Sequence, residues 1–338
     1  MLPFERMKRE IFVRKKAKTN TKHGEDINKR SIQELLNYGI VNVNKPSGPT
    51  SHQVSSYVQK ILGISKSGHS GTLDPKVTGV LPVALGRGTR IVQTLLPAGK
   101  EYICIMHLHA AVDEKILRTV LKSFIGKIKQ LPPIKSSVKR QERYRKIYYL
   151  DVIEIVDQDV LFRVGCQAGT YIRKLCHDIG QALHCGAHMA ELIRTKAGPF
   201  EYTSSCTLQD LTDAFYYCSK GNDTFIRKLI LPIEEGVRHL PKVFVLDSSI
   251  DSICHGVNLK TPGIAHVESD IQVGEMIAIM SLKEELVAVG TTKMISKQMV
   301  NEEKGIAINV EKVFMQPGLY PKMEIAKEDV PKNKNDNI

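Results

Sequence analysis

The brevity of its apolar runs constrains this 338-residue chain more than any other feature. None approaches the roughly 18 consecutive apolar residues that a membrane-spanning helix requires, so no membrane partner is expected. Most runs are short, β-rich and closed by Gly or polar turns: Gly39–Asn44, Val80–Leu85, Tyr102–Leu108, Tyr148–Ile155 and Val160–Cys166, then Val243–Leu246, Met276–Met280 and Leu286–Val289. Segments of helical period lie between them. Val54, Val58, Ile61 and Leu62 share one face after a cap at Thr50 or Ser51, and Gly63 ends that helix. Further helices are expected at Asp113–Phe124, from about Thr170 to Leu183, and near Phe225–Leu229. Strands and helices mixed in this way describe an α+β chain.

The length accommodates two domains of roughly 100–200 residues each. Residues 1–37 read as a basic arm, with ten Lys/Arg against five Asp/Glu in the first 35. The arm is either flexible or laid across another surface. Residues 38–235 form the main domain. Within it, 64–79 is rich in Gly, Ser and Thr and reads as a loop, and 187–200 holds a shorter apolar run. Pro232 and Pro241 flank a linker. Residues 242–320 change to short β runs separated by Gly and polar turns, which suggests a small β-barrel. The polar stretch 324–338 is expected to be disordered.

The formal charge of +12 favours an anionic partner, nucleic acid first, because phosphates neutralised by Lys and Arg release their counterions. Residues 135–146 concentrate six Lys/Arg against one Glu, including Lys139, Arg140, Arg143 and Arg145. Trp is absent, so base stacking would fall to a few Tyr and Phe. The N-terminus has no apolar run of secretion-signal type. In a chain that is not secreted, seven cysteines without a C-x-x-C pair are expected to be reduced and mostly buried.

Three segments carry candidate chemistry. In Gly68-His69-Ser70-Gly71-Thr72-Leu73-Asp74-Pro75, two glycines give a tight path and Pro75 holds Asp74 away from helical geometry. A carboxylate so constrained can be a nucleophile, a general base or a metal ligand, although Asp-Pro is also an ordinary turn pair. In Gly169-Thr170-Tyr171-Ile172-Arg173, Thr170 can cap a helix and put Arg173 in its first turn. From there Arg173 either holds a carboxylate ionised by paired hydrogen bonds or lies on a solvated face. Tyr102, after Gly99-Lys100-Glu101, is either a core residue or a platform for an unstacked base with a hydroxyl for proton transfer.

These segments stand in one order, preceded by Asn44-Lys45-Pro46-Ser47-Gly48-Pro49-Thr50-Ser51 and followed by Leu192-Ile-Arg-Thr-Lys-Ala-Gly-Pro-Phe200. Over about residues 38–320 the chain resembles the tRNA-uridine-55 and dyskerin-type pseudouridine synthases. Lys139-Arg140-Gln141-Glu142-Arg143, and Asp251 to Leu259 followed by Pro262-Gly263, resemble the dyskerin branch, the catalytic subunit of H/ACA guide-RNA particles. The second stretch is similar to the start of an RNA-binding PUA domain. The long Lys-rich tails of eukaryotic dyskerins are missing, which points to an archaeal, cytoplasmic member; a eukaryotic one would be nucleolar.

The resemblance implies a mainly antiparallel sheet flanked by helices, plus a β pseudo-barrel. It implies guide-RNA-directed isomerisation of uridine, with small H/ACA proteins as partners and no cofactor, because an isomerisation needs no redox group. Asp74 matches the catalytic Asp, Tyr102 the Tyr that packs on the target base, and Arg173 the Arg that pairs with that Asp. Lys45, Pro46, His69 and Leu192 match residues lining the site. Gly256, Val257, Leu259, Pro262 and Gly263 would offer the guide RNA close backbone approach and an apolar shelf. Attack at the sugar C1′, attack at the base C6, and electrostatic stabilisation of detached uracil all remain open.

The residues Cys176, His177, His184, Cys185 and His188 raise the question of zinc, but Gly186 interrupts any shared helical face and the spacing fits no standard finger, so no metal is expected. A stand-alone tRNA synthase and an inactive RNA-binding scaffold are the rival functions.

Overall fold

The structure is a computed structural model and describes residues 1–132 and 141–322. It divides into two units. The larger comprises Met1–Glu10 with Asp26–Pro241, and the smaller comprises Ile11–Glu25 with the chain from Lys242 onward.

The larger unit is a ten-stranded sheet whose main path runs Ile230–Pro232, Gly39–Lys45, Thr78–Leu85, Ala187–Ala197, Lys100–Leu108, Asp159–Cys166, Arg143–Val156 and Gly126–Gln130. Among its described strands every pairing is antiparallel except one. Thr78–Leu85 meets Ala187–Ala197 in parallel through only two registered pairs, Thr78 with Ile193 and Gly79 with Arg194. This short joint divides the sheet into two halves with separate cores.

On one half, the helices Ile32–Tyr38, Ser51–Leu62 and Leu208–Ser219 cover Val41, Val43, Leu81, Val83 and Leu85. On the other, Glu114–Ser123 and Ile172–Ala182 cover Cys104, Met106, Ile147, Phe162 and Val164. A helix with one apolar stripe has no other way to remove that stripe from water.

Local signals account for these helices. Thr50 and Gln53 form a reciprocal capping box, and Gly63 stops the Ser51–Leu62 helix in the left-handed conformation that glycine adopts without strain. Asp113 accepts hydrogen bonds from Lys115 N and Ile116 N, which starts the next helix, and Leu117 and Leu121 turn inward.

Three expectations change. The stretch 64–79 is not all loop. Ser67–His69 is a strand paired with Val83–Leu85, because that strand leaves a free edge that Ser and Gly residues can fill regardless of propensity. The apolar run at 187–200 belongs to an eleven-residue strand, Ala187–Ala197. Thr170 is not a helix cap, since its hydroxyl turns back to Gln167 O and the helix starts after Tyr171 without a side-chain cap. Leu208–Ser219 was not anticipated, because only Leu211 and Ala214 along it are fully buried; its signal was the Thr207–Asp210 capping box.

The smaller unit is a seven-stranded sheet in the order Ile11–Val13, Ile264–Glu268, Lys242–Val245, Met276–Met280, Leu286–Thr292, Ile306–Val313 and Leu259–Lys260. Its core gathers Val243, Ile250, Ile264, Val267, Ile277, Ile279, Val287 and Ile308. Residues of the basic arm complete it. Phe12 pairs with Val267, and the Arg14 guanidinium donates to the carbonyls of Met299 at 3.0 Å and Val300 at 2.6 Å. Of the described cysteines, Cys104, Cys166, Cys176, Cys206 and Cys254 are buried, and all seven are free.

Candidate functional site

The site lies where the two half-sheets join. Asp74 sits on the segment leading into Thr78–Leu85, and Arg173 stands in the first turn of Ile172–Ala182. The guanidinium of Arg173 donates to the Asp74 carboxylate, and both side chains are about half exposed. A charge-assisted pair of this kind aims the carboxylate while leaving part of it open to a substrate.

The backbone on both sides of Asp74 is pinned. The buried Ser51 hydroxyl accepts from Leu73 N at 2.8 Å. The Lys45 ammonium, with no solvent exposure, donates to Pro46 O at 2.8 Å and to Pro75 O and Val77 O, each at 2.9 Å. All three of its donors are used. Arg194, also buried, donates to Val80 O at 2.7 Å and to Gly71 O at 3.2 Å. Gly79 must be glycine here: its φ is +105°, and a Cβ would stand 2.2 Å from Arg194 O. Asp74 thus rides on a loop held by two buried cations and a hydroxyl, with only its carboxylate free to act.

The cations also shape the electrostatics. Burial, reinforced by Arg194, lowers the Lys45 ammonium below the usual lysine range, and Asp74 opposes that shift. Burial likewise pushes Lys100 down to about 7, and its ammonium donates to the carbonyls of Leu95, Leu96 and Ala98. Burial raises the Tyr102 phenol, while the charge of Arg194, which pairs with it in register, works the other way. Tyr102 therefore stays protonated at neutral pH. Burial, then Arg194 and His52, lowers His69, which favours the neutral imidazole.

Tyr102 and Leu192 lie on neighbouring strands and pack at the edge of the same core, on the half of the sheet that carries Arg173. The buried side chain of Gln130 brackets Tyr171, donating to its carbonyl at 3.1 Å and accepting from its amide at 3.0 Å. That bracket fixes the start of the Arg173 helix. Sequence reasoning gave no role to Arg194 or Gln130. Neither stands out in sequence, since Gln130 ends the polar strand Gly126–Gln130 and Arg194 shares its strand with His188, Glu191, Thr195 and Lys196.

Lys45 is reassigned. It was expected to line the cleft toward substrate, but its ammonium is turned onto three carbonyls, so it positions the loop instead. Pro46 is exposed beside it. Lys139 and Arg140 lie outside the described residues. Arg143 and Arg145 stand on Arg143–Val156, and Arg145 packs over Gly169, next to the Arg173 helix.

In the smaller unit, Gly256 has φ +85° and open space around it, Val257 is half exposed and Pro262 is exposed. Leu259 is 2% exposed and belongs to the core, which removes it from an RNA-facing shelf. Gly263 packs closely, since a Cβ there would meet Ser249 Oγ at 2.7 Å. Among the described residues no group of three or more His, Cys, Asp or Glu is arranged to hold a metal. His184, at φ +55°, lies beyond the Ile172–Ala182 helix, and His188 is on a strand, so the His and Cys residues near 176–188 share no helical face.

The model of the TruB family pseudouridylate synthase N-terminal domain matches residues 59–172, and that of the tRNA pseudouridylate synthase B C-terminal domain matches 173–238. A PUA domain model matches 241–314, and a DKCLD domain model matches 2–55. The chain is 53% identical over 326 residues to a probable tRNA pseudouridine synthase B of Nanoarchaeum equitans, covering 96% of this chain and 93% of that one. It is 52% identical to the protein of the same description from Methanopyrus kandleri, covering 95% of each. Among solved structures it is similar to a chain of a Cbf5–Nop10–Gar1 complex, at 51% identity and TM-score 0.92 over 95% of this chain and 98% of that one. It is also similar to a chain of an H/ACA RNP bound to a substrate RNA containing 2′-deoxyuridine, at 49% identity and TM-score 0.89 over 96% and 99%.

Proposed function

Because this chain belongs to the TruB family of pseudouridylate synthases, we propose that it isomerises uridine to pseudouridine in RNA selected by an H/ACA guide. Asp74 is the nucleophile, Tyr102 packs on the target base, and Arg173 holds Asp74 in place and aims it. The observation that carries this reading is the Arg173–Asp74 pair on a loop whose backbone is pinned on both sides. Such pre-organisation is what a reaction without a cofactor needs, since it must break the C1′–N1 bond, form a C1′–C5 bond to the same base, and exchange the C5 proton for one on N1, with one carboxylate. The uridine leaves its stack to reach that carboxylate. Leu192 and His69 then flank it.

Residues 38–235 act as the catalytic domain and 242–320 as the PUA domain that anchors the guide's terminal ACA through Gly256, Val257 and Pro262. Lys139, Arg140, Arg143 and Arg145 steer phosphates of the substrate strand. Nop10 and Gar1, named with the solved relative, are the kind of small proteins expected to complete the particle. No helix among the described residues is long and apolar enough to cross a membrane, and the proposed place of action is the cytoplasm of an archaeal cell.

A second reading, a stand-alone tRNA synthase, is favoured by the descriptions of the curated relatives. Single-turnover pseudouridine formation on a paired target and on a tRNA, with and without guide RNA, separates the two. Asp74→Asn should abolish product in either case and leave RNA binding largely intact. Turnover near the wild-type rate would remove Asp74 from the chemistry.

A further inference from the structure

An exposed aromatic ring, Tyr202, shares a groove with Pro46 and Thr78 near the segment that carries Asp74. The segment that follows Phe200–Glu201 runs back along Gly39–Lys45. Cys206 N donates to Asn42 O at 2.9 Å, and Asn44 N donates to Cys206 O at 2.7 Å. The Asn42 amide donates to Glu201 O at 2.8 Å and to Ser204 Oγ at 3.2 Å. These bonds fix the single turn Tyr202–Ser204. Tyr202 is 44% exposed, and its hydroxyl accepts from Asn44 Nδ2 at 3.2 Å. Its side chain is therefore held at both ends while part of it stays open to solvent.

A groove of about 430 Å³ opens beside that ring, with Asn44, Pro46, Thr78 and Leu208 in its walls. This volume falls within the roughly 300–1,000 Å³ of small-ligand pockets. The groove reaches Thr78, the first residue of the strand that the Asp74 segment leads into, and Lys45, which also lines it, holds the carbonyls of Pro46 and Pro75 on one ammonium. That ammonium is buried and fully used, so the groove offers no cation for a phosphate. What it does offer is an aromatic ring, amides at Asn44 and Gln209 that can both donate and accept, hydroxyls at Thr78 and Thr207, and the apolar side chains of Pro46 and Leu208. Those are the features that hold a nucleobase.

Flipping the target uridine also removes a stacking partner from its neighbour in the strand. We infer that the Tyr202 groove is a second nucleobase subsite, which takes the unpaired nucleotide next to the target uridine by stacking on Tyr202 with its edge toward Asn44. This rests on the reading of the chain as an RNA pseudouridine synthase. A tethered ring loses little side-chain freedom on stacking, so the subsite adds affinity at small entropic cost.

The test uses the full chain assembled with a guide RNA and the small particle proteins. Tyr202→Ala, Tyr202→Leu and Tyr202→Phe are compared on substrates carrying either a normal base or an abasic site on each side of the target. Tyr202→Ala and Tyr202→Leu should raise KM about tenfold, with a much smaller effect on kcat, and Tyr202→Phe should recover most of the loss. One abasic position should cost wild type the same factor and cost Tyr202→Ala and Tyr202→Leu almost nothing. Tyr202→Leu fills the same space without an aromatic face, so it keeps the test valid if the alanine variant folds poorly. Losses that multiply at both flanking positions would overturn the subsite while leaving the activity intact. Absence of pseudouridine from wild type would overturn the activity and the subsite together.

Discussion

Replacing Lys45 by Met isolates the loop anchor from the chemistry, because Met fills much of the stem's volume without a donor. Three hydrogen bonds from a charged group disappear, each worth about 1.5–3 kcal/mol, so the gross loss is roughly 4–9 kcal/mol. Against this, the variant no longer buries an ammonium, which returns several kcal/mol. The balance is a destabilisation of about 2–4 kcal/mol, because the carbonyls of Pro46 and Val77 lose that donor while Pro75 O keeps only Gly48 N. For a unit of this size that lowers Tm by roughly 5–15 °C.

The kinetic consequence is larger, because Pro75 O adjoins Asp74. A carboxylate displaced by about 1 Å costs on the order of a hundredfold in rate. Thermal unfolding and single-turnover assays on the assembled particle read the two effects separately. The rate at saturating substrate should fall steeply while substrate affinity stays within a few-fold. A variant with wild-type Tm and wild-type single-turnover rate would refute the anchor. A variant that lost only affinity would return Lys45 to substrate contact.

Arg173→Ala should slow the chemical step more than it weakens RNA binding, since it removes the partner that aims Asp74; a drop in affinity with unchanged single-turnover chemistry would make Arg173 a phosphate contact instead. His239 is held down at about 4 by burial, with Thr94 O accepting from its ring. Between about pH 6.5 and 4 the unfolded chain then binds more protons than the native one, so stability falls as the pH falls through that window. Denaturant titrations of wild type and His239→Phe at a series of pH values should show a steeper decline for wild type, and parallel curves would remove His239 as the cause.

Local grammar was legible from residues alone. The Thr50 cap and the Gly63 stop each depend on a few consecutive residues, and the structure reproduces both. The placement of Arg173 in a first helical turn was legible too, although the cap assigned to Thr170 was not, because its hydroxyl had a nearer acceptor in Gln167 O. Asp74 was legible as a constrained carboxylate from the residues around it. Its partner was not, since 99 residues separate it from Arg173 and only the ordered set of motifs suggested the pairing.

Other features were decided by tertiary structure, because they depend on which edges and acceptors remain after the sheet has formed. Ser67–His69 became a strand because Thr78–Leu85 had an unpaired side, and Ile11–Val13 because Ile264–Glu268 did. Lys45 and Arg194 look alike in sequence, as a basic residue at the end of a strand and one within another. The fold buries both and sets them on backbone carbonyls of the segment around Asp74, Lys45 on three and Arg194 on two, which chain-local elements do not gather on one donor. Leu259 went the opposite way from its expected role, into the core, because in a strand the choice between the two faces follows from register with Ile306–Val313 and not from residue type.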